Sequence, residues 1–369
     1  MNGSLGFSHC LKTLPVYQPG RPIEEVAREL GLPVEGILKL ASNENPLGPS
    51  PAGLEAIRKA LPQLHRYPDG NAFYLKQKLA RKYGVETPQL TLGNGSNEIL
   101  ELIGHALLNP GDEVVVSEYC FAVYPIVAHL FGARLVTVPA RNQGHDLPAM
   151  LRAMTPRTKL VFVANPNNPT GTLAPADEVR RLVEETPQHV LVVIDEAYIE
   201  YLEDPVDLLP FIRSGHNSTL MLLRTFSKIH GLAGLRVGYG FGHPEIISAL
   251  EKVREPFNVN SLAQVAATAA LDDAAHIQRT RENNRAGQQF LAAGFRRLKL
   301  EFIPSQTNFV MARVGPGQRV FESLQRQGVI ARPLGGYGLP EWLRISVGIP
   351  DENARCLTAL QQALAEQED

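Results

Sequence analysis

Val190-Leu191-Val192-Val193-Ile194 runs directly into Asp195-Glu196-Ala197-Tyr198. The apolar part is mostly β-branched and favours a strand. No polar residue alternates with the apolar ones, so both faces of that strand must be covered, as in a parallel sheet packed between helices. The polar run then falls where an open α/β sheet binds its ligands, beyond the carboxyl ends of the strands.

The same pattern extends in both directions. Glu113–Ser117, Arg134–Pro139, Lys159–Ala164, Thr219–Leu223 and Leu235–Phe241 are further strand candidates. Helical-length stretches separate them: Asn97–Leu108, Ala122–Phe131, Pro175–Glu185 and Pro244–Arg254. Pro175 is expected in the first turn of its helix, where a missing N–H costs nothing. The reading is an α/β domain with a mostly parallel sheet and helices on both faces. After about Val259 an Ala-rich tract leads into a long Arg/Gln-rich helix ending near Arg297. Short strands follow at Glu301–Ile303, Asn308–Ala312 and Leu343–Val347, with helices at Gln318–Gln327 and Glu352–Glu366. The expected division is an N-terminal arm (1–45) that joins a small α+β domain (261–369), and a large domain (46–260). A chain of 369 residues exceeds what one core usually supports.

Composition narrows the function. Thirty-six Lys and Arg against 38 Asp and Glu leave a net charge of -2, which gives no basic face for a nucleic acid. The ligand is therefore expected to be small. No apolar run is long enough to span a membrane. Cys10, Cys120 and Cys356 lie far apart and are odd in number, which suits a reducing cytoplasm better than a disulfide framework. No His or Cys spacing suggests a metal site.

Three strands end in polar runs: Asn165-Pro166-Asn167-Asn168-Pro169-Thr170-Gly171, then Asp195-Glu196-Ala197-Tyr198, then Arg224-Thr225-Phe226-Ser227-Lys228. A fourth element, Gly93-Asn94-Gly95-Ser96-Asn97, enters a helix. Singly these read as turns, caps and a surface amine. Together, with Arg236 eight residues beyond Lys228, they resemble the pyridoxal-phosphate aminotransferases of the aspartate aminotransferase fold (fold type I), over nearly the whole chain. Ala41-Ser42-Asn43-Glu44-Asn45-Pro46, Arg66-Tyr67-Pro68-Asp69-Gly70, Arg332-Pro333, Gly336-Tyr337-Gly338 and Leu343-Arg344-Ile345-Ser346 are similar to the histidinol-phosphate aminotransferase branch.

The resemblance implies a set of roles for the cofactor pyridoxal 5'-phosphate. Lys228 would bind it covalently and then act as the proton carrier, which needs an amine of lowered pKa. Asp195 would favour a protonated pyridine nitrogen, while Asn168 and Tyr198 would bond the phenolic oxygen. Gly95, Ser96, Asn97, Thr225, Ser227 and Arg236 would hold the phosphate, with Gly95 allowing close backbone approach. Tyr67 would reach the phosphate of a neighbouring subunit, making the active unit a homodimer. Phe121 is the expected stacking ring, where the branch often shows tyrosine, and Tyr124 is the alternative. Arg344 would pair with a substrate carboxylate in bidentate fashion, Arg332 would add to a phosphate or distal carboxylate, and Tyr17 and Asn43 would close over the substrate. The implied reaction is ping-pong transfer between L-histidinol phosphate and 2-oxoglutarate. An aromatic amino acid aminotransferase is the first alternative, and a decarboxylase such as one acting on threonine phosphate the second.

Overall fold

The structure is a computed structural model that describes residues 6, 9–12, 14, 16, 20–215 and 218–367. Its main sheet has seven strands. In spatial order they are Leu90–Gly93, Gly238–Gly242, Leu220–Thr225, Leu191–Asp195, Thr158–Ala164, Glu113–Ser117 and Arg134–Val138. The last five pair in parallel. Gly238–Gly242 runs antiparallel to both neighbours.

Every residue of Leu191–Asp195 and Leu220–Thr225 is buried, as their unbroken apolar sequence requires. Helices cover both faces. Ser96–Leu107, Val123–Leu130 and Pro244–Val253 contribute to one apolar cluster with Val114, Phe162, Val193 and Leu223. Phe73–Tyr83, Ala176–Glu185 and Ser261–Ala270 contribute to the cluster that holds Val115, Val161, Val192 and Leu222. Successive strand residues thus feed opposite layers.

Pro175 sits one residue before its helix, at the N-cap of Ala176–Glu185 with extended backbone, rather than in the first turn. The fixed proline φ suits that position equally, and its carbonyl accepts from Val179 N.

A second core joins the arm to the C-terminal part. Val26 and Ala27 of helix Ile23–Leu30, with Ile37, Leu38, Leu40 and Ala41, pack with Leu291, Phe295, Val310, Leu324, Ile345 and Leu360. Leu38–Lys39 pairs in parallel with Val329–Ile330. Beside it a four-stranded antiparallel sheet runs in the order Arg332–Pro333, Trp342–Ser346, Phe309–Arg313, Phe302–Ile303. Trp342 is buried in a small cluster with Met311, Leu334 and Leu339, against which Tyr337 packs. Helix Ser261–Ala270, beyond the expected boundary at 260/261, packs with the first core through Ala263, Ala266, Ala267 and Ala270. Its small side chains form a flat face; Gly53 of helix Pro51–Ala60 lies close enough to Ala266 O that a Cβ there would be 3.2 Å away. After helix Ser261–Ala270 the chain returns to the second core along helix Ala274–Arg297, at Leu291 and Phe295.

Candidate active site

The strand ends and the arm enclose a cavity of about 390 Å³. Of the expected site residues, Asn43, Ser96, Asn97, Phe121, Asn168, Asp195, Tyr198, Thr225, Ser227, Lys228, Arg236, Arg332 and Arg344 all line it. Tyr67 does not: it is exposed, and its ring stacks on Phe257 with centroids 4.9 Å apart. Tyr17 lies outside the described residues.

Asp195 closes its strand with a buried carboxylate. Oδ2 accepts the Tyr124 hydroxyl at 2.9 Å and Oδ1 accepts Ala197 N at 3.1 Å. Burial pushes its pKa up to about 6, against the pull of those two donors. Lys228 donates from Nζ to the carbonyls of Ser42 and Asn43, at 3.2 and 3.3 Å. Desolvation, with the Arg344 and Arg236 charges, lowers its amine to about 8. An amine in that range exchanges protons readily near neutral pH.

The arm reaches this point because Asn43 takes a left-handed turn, φ 55°. The turn directs its side-chain Nδ2 to the Tyr198 hydroxyl at 2.8 Å, while its backbone N donates to Ser346 Oγ at 2.9 Å. Burial raises the Tyr198 phenol to about 12, so it keeps its proton. Arg344 donates from Nη1 to Asn168 Oδ1 and from Nη2 to the Ala41 carbonyl, and its guanidinium lies 5.1 Å over the Phe309 ring. Its cross-strand neighbour in register is Arg332. Two cations side by side favour an anionic ligand between or beside them.

A second group of residues forms an anion cradle. Helix Ser96–Leu107 begins at the cavity wall, so its first N–H groups are open to a ligand. Its N-cap, Gly95, has φ 79°, and a Cβ there would collide with the Arg236 guanidinium. Gly238 likewise has no room for a side chain, because Ser96 N and Gly95 C occupy the space. Arg236 is itself left-handed at φ 55° and donates from Nη1 to Ser227 Oγ at 3.5 Å. Thr225 Oγ1 accepts Ser227 N at 3.1 Å. Backbone N–H groups, two hydroxyls and a guanidinium are the donor set that a phosphate monoester needs. These residues have the chemistry that pyridoxal phosphate needs: the cradle has donors for a phosphate, Asp195 a buried carboxylate that would face a ring nitrogen, and Lys228 an amine.

Two features escape the sequence reading. Tyr124, weighed there only as a stacking ring, is fully buried, lies face to face with Phe162 (centroids 4.9 Å, 12°) and bonds Asp195. Phe121 meets it edge-on at 5.7 Å and is itself only partly buried at the cavity. Behind the site Arg224 Nε donates to Glu196 Oε2 at 2.8 Å, with Glu196 2% and Arg224 8% exposed. The guanidinium lies 4.8 Å over the Tyr83 ring and 5.5 Å over Phe241. A polar residue next to each site residue, inside an otherwise apolar strand end, was the available signal for that pair.

Comparison with known proteins now adds to this geometry. The profile of the family described as aminotransferase class I and II matches residues 35–360. The chain belongs to that family. It is 52% identical over 362 residues to the histidinol-phosphate aminotransferase of Akkermansia muciniphila, covering 98% of this chain and 99% of that one. It is 54% identical to histidinol-phosphate aminotransferase 2 of Pseudomonas fluorescens, covering 96% of each. Among solved structures it superposes on histidinol-phosphate aminotransferase from Sinorhizobium meliloti in complex with pyridoxal-5'-phosphate. That match has a TM-score of 0.90 at 30% identity, over 99% of both chains. Aspartate aminotransferase from Thermus thermophilus with maleate, at 24% identity and TM-score 0.84 over 98% of this chain and 100% of that one, shares the fold. The chain therefore has the fold type I aminotransferase architecture, with a mixed seven-stranded sheet.

Proposed function

We propose that this chain is a pyridoxal-phosphate-dependent histidinol-phosphate aminotransferase of histidine biosynthesis. It would move the amino group between L-histidinol phosphate and 2-oxoglutarate, giving imidazole acetol phosphate and L-glutamate. The observation that carries the reading is Arg344 beside Arg332 in the cavity that also holds Lys228. One site must accept a phosphate in one half-reaction and carboxylates in the other, and paired guanidiniums bind both. The near full-length similarity to histidinol-phosphate aminotransferases supports the same substrate pair.

When bound, the cofactor supplies an electron-withdrawing ring and the carbon that carries the amino group. The chain's own residues do the rest. Gly95, Ser96, Asn97, Thr225, Ser227 and Arg236 would anchor the phosphate, Asp195 would favour a proton on the ring nitrogen, and Asn168 and Tyr198 would bond the phenolic oxygen. Phe121 would cover the ring. Lys228 takes the proton from the donor's carbon and, in the second half-reaction, gives one to the acceptor's. Arg344 fixes the substrate anion, helped by Arg332, and Asn43 limits access from water.

We propose also a homodimer in which Tyr67 serves the partner's phosphate site. The exposed Tyr67–Phe257 stack, with exposed Phe73 and Tyr74 nearby in sequence, supports such an interface. The two cores support a large and a small unit, with the arm in the small one and the division within helix Ala274–Arg297. A cytoplasmic location is supported by three cysteines that are all thiols. Among the described residues no helix is long and apolar enough to cross a membrane.

The test is a single-turnover spectrum of the cofactor-loaded protein with histidinol phosphate, phenylalanine or glutamate. Conversion to pyridoxamine phosphate much faster with histidinol phosphate than with phenylalanine is expected. Equal or faster conversion with phenylalanine would make the enzyme an aromatic aminotransferase, and no pyridoxamine phosphate with any donor would point to lyase chemistry.

A further inference from the structure

Asp195 can hold a proton on a bound ring nitrogen only as a carboxylate, yet it lies in a pocket that penalises its charge. Its burial therefore works against its task, and something must offset it. The ionisable groups around it come from three elements. Glu196, on its own segment, adds a like charge, and Lys228, beyond the neighbouring strand, an opposite one. Tyr198 and Cys120 keep their protons, both pushed up to about 12 by burial. Tyr124, on helix Val123–Leu130, is the only side chain with a hydrogen bond to the carboxylate among the described residues.

The geometry of Tyr124 suits no other purpose as well. The ring is fixed by its stack on Phe162 and by the edge contact with Phe121, so the hydroxyl has little freedom. Burying a phenol without a partner is costly, and a phenylalanine would fill the same space without that cost. The hydroxyl is retained at a place where its bond is to one oxygen of Asp195. The phenol's own pKa is driven well above its ordinary value by burial and by the Asp195 charge, so it remains the donor at any working pH.

We propose that Tyr124 is a positioning residue for the amino-transfer reaction: its hydroxyl keeps Asp195 ionised and aimed into the cavity, and so sets the protonation of the cofactor's ring nitrogen. The inference rests on the function proposed above and deepens it. It also separates two tasks that the sequence left open between neighbouring aromatics, giving Phe121 the ring face and Tyr124 the carboxylate.

The experiment compares wild type and Tyr124→Phe, each reconstituted with nitrogen-15-labelled pyridoxal phosphate. Nitrogen-15 NMR of the ring nitrogen is recorded alongside kcat and KM for glutamate. In Tyr124→Phe the ring-nitrogen signal should move towards the unprotonated-pyridine position. kcat should fall by about 10–100-fold, the worth of a hydrogen bond to a charged group, with KM little changed. A wild-type signal overturns the proposal, whatever happens to kcat, because the hydroxyl would then act through packing alone. Should Tyr124→Phe fail to hold the cofactor, 3-fluorotyrosine placed at 124 keeps the packing and strengthens the donor. The acid limb of kcat/KM should then move to lower pH, and an unmoved limb overturns the proposal. A wild-type enzyme whose ring nitrogen is already unprotonated, or that transfers no amino group, would remove the proposed function itself, which the Tyr124 comparison alone would not.

Discussion

Replacing Glu196 with alanine would leave the Arg224 guanidinium buried behind the sheet without its hydrogen-bonded counter-charge. Breaking a buried pair from one side costs about 3–5 kcal/mol, because the remaining ion loses its partner but not its desolvation penalty. Three neighbours soften the loss. The Tyr83 and Phe241 ring faces still attract the cation, and the Glu200 carboxylate is close enough to contribute to its electrostatics, though without a hydrogen bond. The expected cost is therefore at the lower end, about 3 kcal/mol. The double variant Glu196→Met/Arg224→Met removes both charges and should recover most of it. Urea unfolding followed by circular dichroism measures all three proteins. A Glu196→Ala protein within about 1 kcal/mol of wild type, the range of exposed pairs, would refute the reasoning. So would a double variant as unstable as the single one.

Three other outcomes are expected. His145 is buried and bonded through Nε2 to the Ala164 carbonyl at 2.8 Å, and burial lowers its pKa to about 4. Above its ordinary value near 6.5 it costs no stability. Below that the unfolded chain takes up a proton that the folded chain refuses, so stability should drop by about 3 kcal/mol between pH 6.5 and 4. Urea midpoints across that window should show a shallower slope in His145→Asn. Gly95→Ala would force a Cβ into the Arg236 guanidinium at a left-handed position; cofactor affinity, read by absorbance titration, should fall about 10–100-fold. Arg344→Lys keeps the charge but loses the planar fork, so KM for glutamate should rise about 10–100-fold, and an unchanged KM would show that the substrate anion binds elsewhere.

Much of the fold was legible because the strands carry their burial in their composition. Glu113–Ser117 matches its expected bounds, and the other expected parallel strands differ by a residue or two at their ends. Gly238–Gly242 was the hard case. Its sequence, Gly-Tyr-Gly-Phe-Gly, has no apolar run, and only the crowding against Ser96 and Met221 explains why glycines are needed there. Leu90–Gly93 was missed because four residues, one of them polar, are too few to show a period. Helix Ser261–Ala270 follows the expected boundary yet packs with the first core, and an Ala-rich helix does not say in sequence which surface it lies against. The cavity residues were recognisable as motifs, since each follows a strand that ends at the same place. What joins them was not: the Tyr124–Asp195 and Arg224–Glu196 bonds cross 71 and 28 residues of chain, and the packing of helix Val123–Leu130 brings the first together, the register of neighbouring strands the second.

The chain contains a single tryptophan, Trp342. It lies two residues before Arg344 on the same strand, about 7 Å along it, and packs in the cluster that supports Tyr337 at the cavity wall. One indole means that fluorescence excited at the red edge of the absorption band, where the ten tyrosines do not absorb, has one source in each chain. Its emission carries no background from distant parts of the fold, so titrating ligand into the unlabelled enzyme gives an optical gauge of the anion-binding wall alone.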